Sequence, residues 1–549
     1  MSDRTATDRC KCASKSKPRI RLASLVALLL VSIAGCAKPA PKAPSVEAGG
    51  ETLVGARLVT DAETVVFRGI PYAAPPVGEL RWRPPKAHVP RAGRQDATRF
   101  GSACPQLQDN PDWYRDVAQK FGRSPDAIPD LTDIREDCLY LNVWSRNLGG
   151  DKPQPVMVWI HGGANKNGFS HEPNYLGHNL AKHGVVVVSI NYRVGAMGFF
   201  AHPALTAESN RKVSGNYGML DQIAALEWVR DNIASFGGDS DQVTVFGQSA
   251  GGANISTLIA SPLAKGLFRR AIIQSGGYSL YNGGTVSDDE VFGVKLMSAL
   301  GVGDGPRQLE RMRALSWQEI VAAVPSIAPN TFPRAVVDGW LLPKPTADIF
   351  EAREQNPVEI VIGSTANEWL MYFEQPVDEK KLHAALKAKI REGHRAEVLA
   401  ELNKVVSGDA AARLDMLTGA IDFHCPSLAM AEAQRELTDH VYVYRFSRVR
   451  PDGEKLLAYH SAEIPYMFDT ADDWLPADGV DWTLTDTMVA YWTQFAKTGD
   501  PNAEGLPNWP AFDPRHDVHL DLGDEVRTAR GLQREFCEAL DRGRLVTDP

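Results

Sequence analysis

Short runs of aliphatic and β-branched residues recur along this chain, separated by longer stretches whose apolar positions fall three or four residues apart. Val156–Ile160 and Val185–Ile190 show hardly any polar alternation, the pattern of strands covered on both faces. Val243–Phe246, Ala271–Ile273, Glu359–Ile362 and Val441–Tyr444 read the same way. Between them, Leu220, Ile223, Leu226 and Val229 mark one face of a helix over Met219–Phe236. Strands alternating with helices predict an α/β fold on a large, mixed but mainly parallel central sheet flanked by helices. Two charged segments without strand signals, roughly Asp288–Val324 and Asp378–Met416, carry helical patterning. They are expected to be cap insertions above the strand ends.

Length alone would allow three or four domains in 549 residues. No Gly/Ser-rich linker and no internal repeat follows Gly50, so one domain over 51–549 is expected. With 44% hydrophobic and 23% charged residues, the chain is neither disordered, collagen-like nor a coiled coil. Its 59 basic and 68 acidic residues leave a net charge of −9, which argues against a nucleic-acid binder working through a general positive field.

The N-terminus departs from that balance. Residues 1–35 hold Arg4, Arg9, Lys11, Lys15, Lys17, Arg19 and Arg21 against Asp3 and Asp8. An apolar run, Leu22 to Ile33, follows and ends at Ala34-Gly35-Cys36. A bilayer-spanning helix needs about 20 apolar residues, so this run is too short. A basic region, an apolar stretch and small residues before a cleavage point are the marks of a secretory signal. Ile33-Ala34-Gly35-Cys36 resembles a bacterial lipobox, which makes Cys36 the expected lipidation site and residues 36–50 a tether. The expected location is therefore the cell envelope, periplasmic or outer-membrane, or the exterior, with membrane contact only through that lipid.

Seven cysteines agree with export. Cys10 and Cys12 fall in the signal, and Cys36 is the lipid site. Cys104, Cys138, Cys425 and Cys537 remain, enough for two disulfides with three possible pairings. None has a close zinc-type spacing, so no metal is expected, and nothing implies an organic cofactor.

Phe246-Gly247-Gln248-Ser249-Ala250-Gly251-Gly252 follows a predicted strand and precedes a helical stretch. G-x-S-x-G in that setting is a nucleophile elbow, a strained turn that lifts the serine hydroxyl above the sheet. The bland alternative is a βα turn whose serine caps the helix. His161-Gly162-Gly163-Ala164 follows another strand. Backbone N–H groups of Gly163 and Ala164, with that of Ala250, are expected to form an oxyanion hole. The base should be a histidine late in the chain, because folds with this elbow place serine, acid and histidine in that order. His383, His394, His424, His440, His460, His516 and His519 are all late enough; His460 lies in a loop after the Val441–Phe446 strand. For the acid, Glu368 stands just past the Glu359–Gly363 strand, with Glu374 as a competitor.

Phe67-Arg68-Gly69-Ile70-Pro71-Tyr72-Ala73, Glu136-Asp137-Cys138-Leu139-Tyr140-Leu141-Asn142 and Asn191-Tyr192-Arg193-Val194-Gly195 resemble signatures of the type B carboxylesterases. These are the cholinesterase-related branch of the α/β-hydrolases. Gly215–Gln222, Asn232–Asp239 and Phe495–Asn502 extend the resemblance, which runs from about Gly55 to Phe536. It implies an α/β-hydrolase fold, hydrolysis of neutral carboxylic esters through an acyl-enzyme, and Ser249, Glu368 and His460 as the triad. It further implies disulfides Cys104–Cys138 and Cys425–Cys537, and a supporting polar network at Ser275 and Glu463. A noncatalytic adhesion-type protein and an amidase, carbamate hydrolase or polyester hydrolase are the rival readings. Three residues depart from the family pattern: Gln248 where Glu is usual, Ala164 where many members have Gly, and Trp369 after the acid where Gly is usual. With an amide at 248 and no aromatic platform before Cys138, little preference for choline esters is expected.

Overall fold

The parallel strands show no inside–outside alternation because helices cover both faces: every residue of Val186–Ile190 and of Arg270–Gln274 is buried. This computed structural model describes residues 42–545 apart from 108, 129, 131–132, 278–283, 330–331, 471–473 and 532. The predicted signal, Cys36 and the start of the tether lie outside the described residues. Strands β1 (Ser45–Ala48), β2 (Glu51–Val54) and β5 (Arg94–Asp96) make a small sheet. On the amino-terminal side the large sheet takes β3 (Ala56–Arg57), β4 (Val65–Pro71), β6 (Tyr140–Ser145), β7 (Gln154–Ile160) and β8 (Val186–Ile190). It continues with β9 (Gly238–Gln248), β10 (Arg270–Gln274) and β11 (Glu359–Thr365). Then come β12 (Val441–Phe446), β13 (His519–Leu522) and β14 (Val526–Ala529).

The eleven strands run in the order β14-β13-β12-β11-β10-β9-β7-β8-β6-β4-β3. From β8 through β13 all pairings are parallel, while β6, β4, β3 and β14 pair antiparallel. The predicted mixed, mainly parallel sheet is thus the observed one. From β7 the chain moves outward to β8 on one side and returns to β9 on the other, so the strand order reverses between β7 and β9. Crevices at the carboxyl ends of strands beside such a reversal are where α/β sheets bind ligands.

The tether boundary needs correction. β1 pairs antiparallel with β2 around Gly49-Gly50, both at positive φ (60° and 80°), a glycine-dependent tight hairpin. Residues 45–50 therefore belong to the folded body, and a compact unit begins at Ala43. The helix expected over Met219–Phe236 runs Tyr217–Asn232, and Ile233–Phe236 is a 3-10 turn. Helices Val286–Ala299, Gln308–Ala314 and Trp317–Ile327 fill the first expected insertion. Leu296, Met297, Met312 and Ile320 pack there on Ala196, Met197 and Phe200, the segment that follows β8. Helices Glu379–Lys389, Arg395–Val405 and Ala410–Gly419 form the second insertion and contribute Leu382, Leu386, Val398 and Leu402 to the main core. Among the described residues no helix is long and apolar enough to cross a membrane.

Candidate active site

Strand register brings the site together. Ile160 of β7 lies opposite Gly247 of β9, Gln248 opposite Gln274 of β10, and Gln274 opposite Gly363 of β11. The turns that follow these strands therefore emerge side by side. Ser249 sits at φ 55°, ψ −125°, a left-handed conformation costly for any residue with a Cβ. Its side chain caps no N–H of the helix Ala250–Ala260 that follows, so the capping alternative fails. The surrounding glycines are required by close approach: a Cβ on Gly251 would lie 2.0 Å from the Ile160 carbonyl oxygen.

The His161–Ala164 turn packs directly on this elbow. A Cβ on Gly162 would meet the Gln248 carbonyl oxygen at 2.9 Å and Ser249 Cβ at 3.3 Å. Gly163 has φ 96° and Ala164 φ 55°, which rotates the peptide units of the turn away from strand geometry. Ala250 opens its helix, where the first N–H groups have no intrahelical carbonyl. The methyl group of Ala164 is thus held in a backbone conformation for which glycine is better suited. Behind the turn, His161 is fully buried, stacked on Tyr192 at 4.3 Å, and burial lowers its pKa to about 4.

Glu368 and His460 meet as the sequence suggests. The Glu368 Oε2 atom stands 2.5 Å from His460 Nδ1. Its other oxygen accepts from the Ser275 hydroxyl at 2.7 Å and from the Thr365 N–H at 2.8 Å. Both Glu368 and His460 are buried, whereas the competitor Glu374 is exposed. Holding Nδ1–H on a carboxylate leaves the Nε2 lone pair as the basic site. That lone pair faces Gln248, whose side-chain nitrogen is 3.1 Å away. His460 is thereby placed beside the residue that immediately precedes Ser249.

Of the remaining candidates, Ser275 joins the acid directly, while Glu463 lies one step removed. Gln274 donates to Glu463 Oε1 at 3.2 Å and accepts from the Trp492 indole at 3.3 Å. Glu463 is fully buried, its Oε2 finds no partner among the described residues, and burial aided by the nearby Glu368 charge raises its pKa to about 7. His424, another of the late histidines, is buried against the Ser364 hydroxyl, and burial lowers its pKa to about 3. The cysteines pair as Cys104–Cys138 and Cys425–Cys537.

Other residues acting here escaped the sequence reading. Asp415, on the helix Ala410–Gly419, accepts from the N–H groups of Trp369 (2.7 Å) and Leu370 (2.9 Å) and from the Asn367 amide (3.1 Å). It braces the acid loop from a position 46 residues beyond Trp369, and no local motif announces such a contact. Trp369 has φ −112°, which any residue adopts, and its ring packs on Tyr372 and Phe423. The bulky residue after the acid therefore leaves the loop intact. Phe423 lies in a π-helical turn, Ala420–His424, and its ring centroid is 5.1 Å from that of His460. Such turns are rare and gather at functional sites.

A model of the carboxylesterase family matches residues 42–540. The chain belongs to the carboxylesterase family. It is 33% identical over 495 residues to the fumonisin B1 esterase of Sphingopyxis macrogoltabida, covering 88% of this chain and 87% of that one. With the para-nitrobenzyl esterase of Bacillus subtilis it shares 34% over 494 residues, 86% of this chain and 94% of the relative. A carboxylesterase structure from Geobacillus stearothermophilus superposes with a TM-score of 0.77 at 30% identity, over 90% of this chain and 99% of the other. The carboxylesterase described here accordingly has the α/β-hydrolase fold, as the resemblance implied, and hydrolyses carboxylic esters.

Proposed function

We propose that this carboxylesterase cleaves neutral esters by acyl transfer through Ser249. The observation that carries the reading is the chain Ser275–Glu368–His460, ending beside the strained serine turn. His460 takes the Ser249 proton as the hydroxyl oxygen attacks the ester carbonyl carbon. The negative oxygen is met by the N–H groups of Gly163, Ala164 and Ala250, each such donor contributing about 3 kcal/mol to the transition state. The imidazolium then gives its proton to the departing alcohol as the tetrahedral carbon collapses to the acyl-enzyme. Water, deprotonated by the same imidazole, releases the acid and restores the serine. Glu368 orients the imidazole and stabilises its charged form without taking the proton.

A fluorophosphonate probe tests this reading. One equivalent should attach to Ser249 and abolish hydrolysis of p-nitrophenyl butyrate. Ester turnover undiminished in Ser249→Ala would overturn the reading.

The chain is also exported and held to the cell envelope by lipid on Cys36. The basic-then-apolar N-terminus and the Ile33–Cys36 motif support this, and two disulfides in the body suit an oxidising compartment. Radiolabelled palmitate should enter the protein and be lost in Cys36→Ser; unlabelled wild type would refute the anchor.

A further inference from the structure

Gln248 is buried to 2% exposure, and its amide nitrogen points at His460 Nε2 from 3.1 Å. An amide N–H can bond only to the lone pair of a neutral imidazole. With the amide in this orientation, a proton on Nε2 would set two donors face to face, and only a half-turn of the amide, presenting its carbonyl oxygen, would relieve them. With Nδ1–H committed to Glu368, the Gln248 contact selects the neutral ring with its lone pair on Nε2, the form a general base needs. The carboxylate usual in the family at this position would do the reverse, since a negative charge beside Nε2 favours the imidazolium. We propose that Gln248 is a positioning residue that holds the Nε2 lone pair of the substrate-free enzyme and yields it to Ser249 when the ester binds. The substitution thereby extends base catalysis to lower pH. The proposal rests on the serine mechanism above.

The other groups around His460 are the same in all three enzymes, although burial raises Glu463 to about 7 and Asp415 to about 6, inside the range the assay covers. Glu368 faces Nδ1 from the loop after β11, and Tyr372 approaches the ring at 6.4 Å from the turn Leu370–Tyr372. Glu463 lies on the histidine's own segment. From the π-helical turn the Phe423 ring packs on the imidazole, while His424 is bonded to Ser364 and Asp422 lies near both Lys389 and Glu368. Changes confined to residue 248 therefore isolate its part.

The test is the acid limb of kcat/KM, which reports the neutral fraction of the base in the free enzyme. Rates are measured from about pH 5 to 9 with p-nitrophenyl butyrate for wild type, Gln248→Leu and Gln248→Glu, each normalised to fluorophosphonate-titrated sites. Removing the donor moves the midpoint up by about half a pH unit in Gln248→Leu, and the added charge moves it up by at least about one unit in Gln248→Glu. On the steep part of the limb, that second shift is about a tenfold loss. Three equal midpoints would overturn the proposal. A shift in Gln248→Glu alone would do so too, because any carboxylate there would produce it. Should a variant not fold, a crystal structure of the substrate-free wild type decides: Nε2 on the Gln248 amide supports the proposal, and Nε2 on Ser249 Oγ with Gln248 turned away ends it. A wild type that neither titrates nor turns over esters indicts the serine mechanism instead.

Discussion

Glu368→Gln is the smallest change that separates the orienting role of the acid from its bulk. In the native site Oε1 already accepts two hydrogen bonds, from Ser275 at 2.7 Å and Thr365 at 2.8 Å. The glutamine carbonyl keeps both of these, which fixes the new NH2 group on the side facing His460 Nδ1, now 2.5 Å from Oε2. Donor would then meet donor, and the ring escapes by moving its proton to Nε2. The imidazole is left as an acceptor toward the new amide and a donor toward Ser249, the wrong way round for a base. A forced tautomer of this kind costs about 10⁴-fold in kcat/KM, or about 5 kcal/mol of transition-state stabilisation. Ser249→Ala and His460→Ala should cost more, about 10⁶-fold, because orientation is only part of what the triad does. Initial rates on p-nitrophenyl butyrate at about pH 8, with a melting curve for each variant, make the comparison. In the substrate-free site the proton moved to Nε2 faces the Gln248 N–H as a second donor, so the variant should melt about 2–4 °C below wild type. A folded Glu368→Gln enzyme keeping a tenth of wild-type kcat/KM would refute the reasoning.

Glu463 gives a stability prediction with a definite sign. Its folded pKa is raised to about 7 from 4.5, so the folded chain binds the extra proton and stability falls as pH rises from about 4.5 to 7. Glu463→Gln removes that fall, and denaturant melts should find the variant more stable at about pH 8 by as much as about 3 kcal/mol, with little difference at about pH 4.5; an equal effect at both pH values would contradict it. The two disulfides should separate stability from activity. Opening Cys425–Cys537, which spans 112 residues, costs about 5 kcal/mol by loop entropy, against about 4 for the 34-residue Cys104–Cys138 loop. Only the smaller loop carries Trp113, whose indole bonds the Tyr372 hydroxyl beside His460, so double serine replacement there should raise KM more. Equal KM values in the two double variants would count against this. Finally, the uncharged Gln248 predicts similar kcat/KM for butyrylthiocholine and a matched neutral thioester; a large advantage for the cation would be inconsistent.

What could be read from the sequence follows burial. β7 to β12 are apolar because both faces are covered, and that pattern survives without neighbours. β4 and β6 escape the same reading: Arg68-Gly69 interrupts one, and the other carries Asn142, buried and bonded to the Ser170 and Ser189 hydroxyls. β1 is hidden in a Pro-, Ala- and Lys-rich stretch, although Gly49-Gly50 is a hairpin signal. Ser249 announces itself because its turn needs glycines at fixed offsets. Glu368 does not, since what distinguishes it from Glu374 is two donors, one of them 93 residues away just past the end of β10. Asp415 and the π-helical turn that offers Phe423 likewise depend on partners no local window contains.

The strain in the site explains why those distant partners matter. Ser249 and Ser275 both take positive φ, 55° and 48°, at the ends of adjacent strands. Conformations of this kind cost about 1–2 kcal/mol each and persist only where surroundings over-determine them. Here each strained residue is tied to the next strand across: Ser249 N–H to the Gln274 carbonyl and Ser275 N–H to the Gly363 carbonyl, both at 2.8 Å. The Ser275 hydroxyl then holds Glu368, which holds His460, whose loop is pinned back to the acid loop by Asn367 N–H on the Ala458 carbonyl at 3.0 Å. Nucleophile, acid and base are thus successive consequences of one strand order, β9-β10-β11-β12, and a slip in any of those registers would release the strain at the serine along with the alignment of the base.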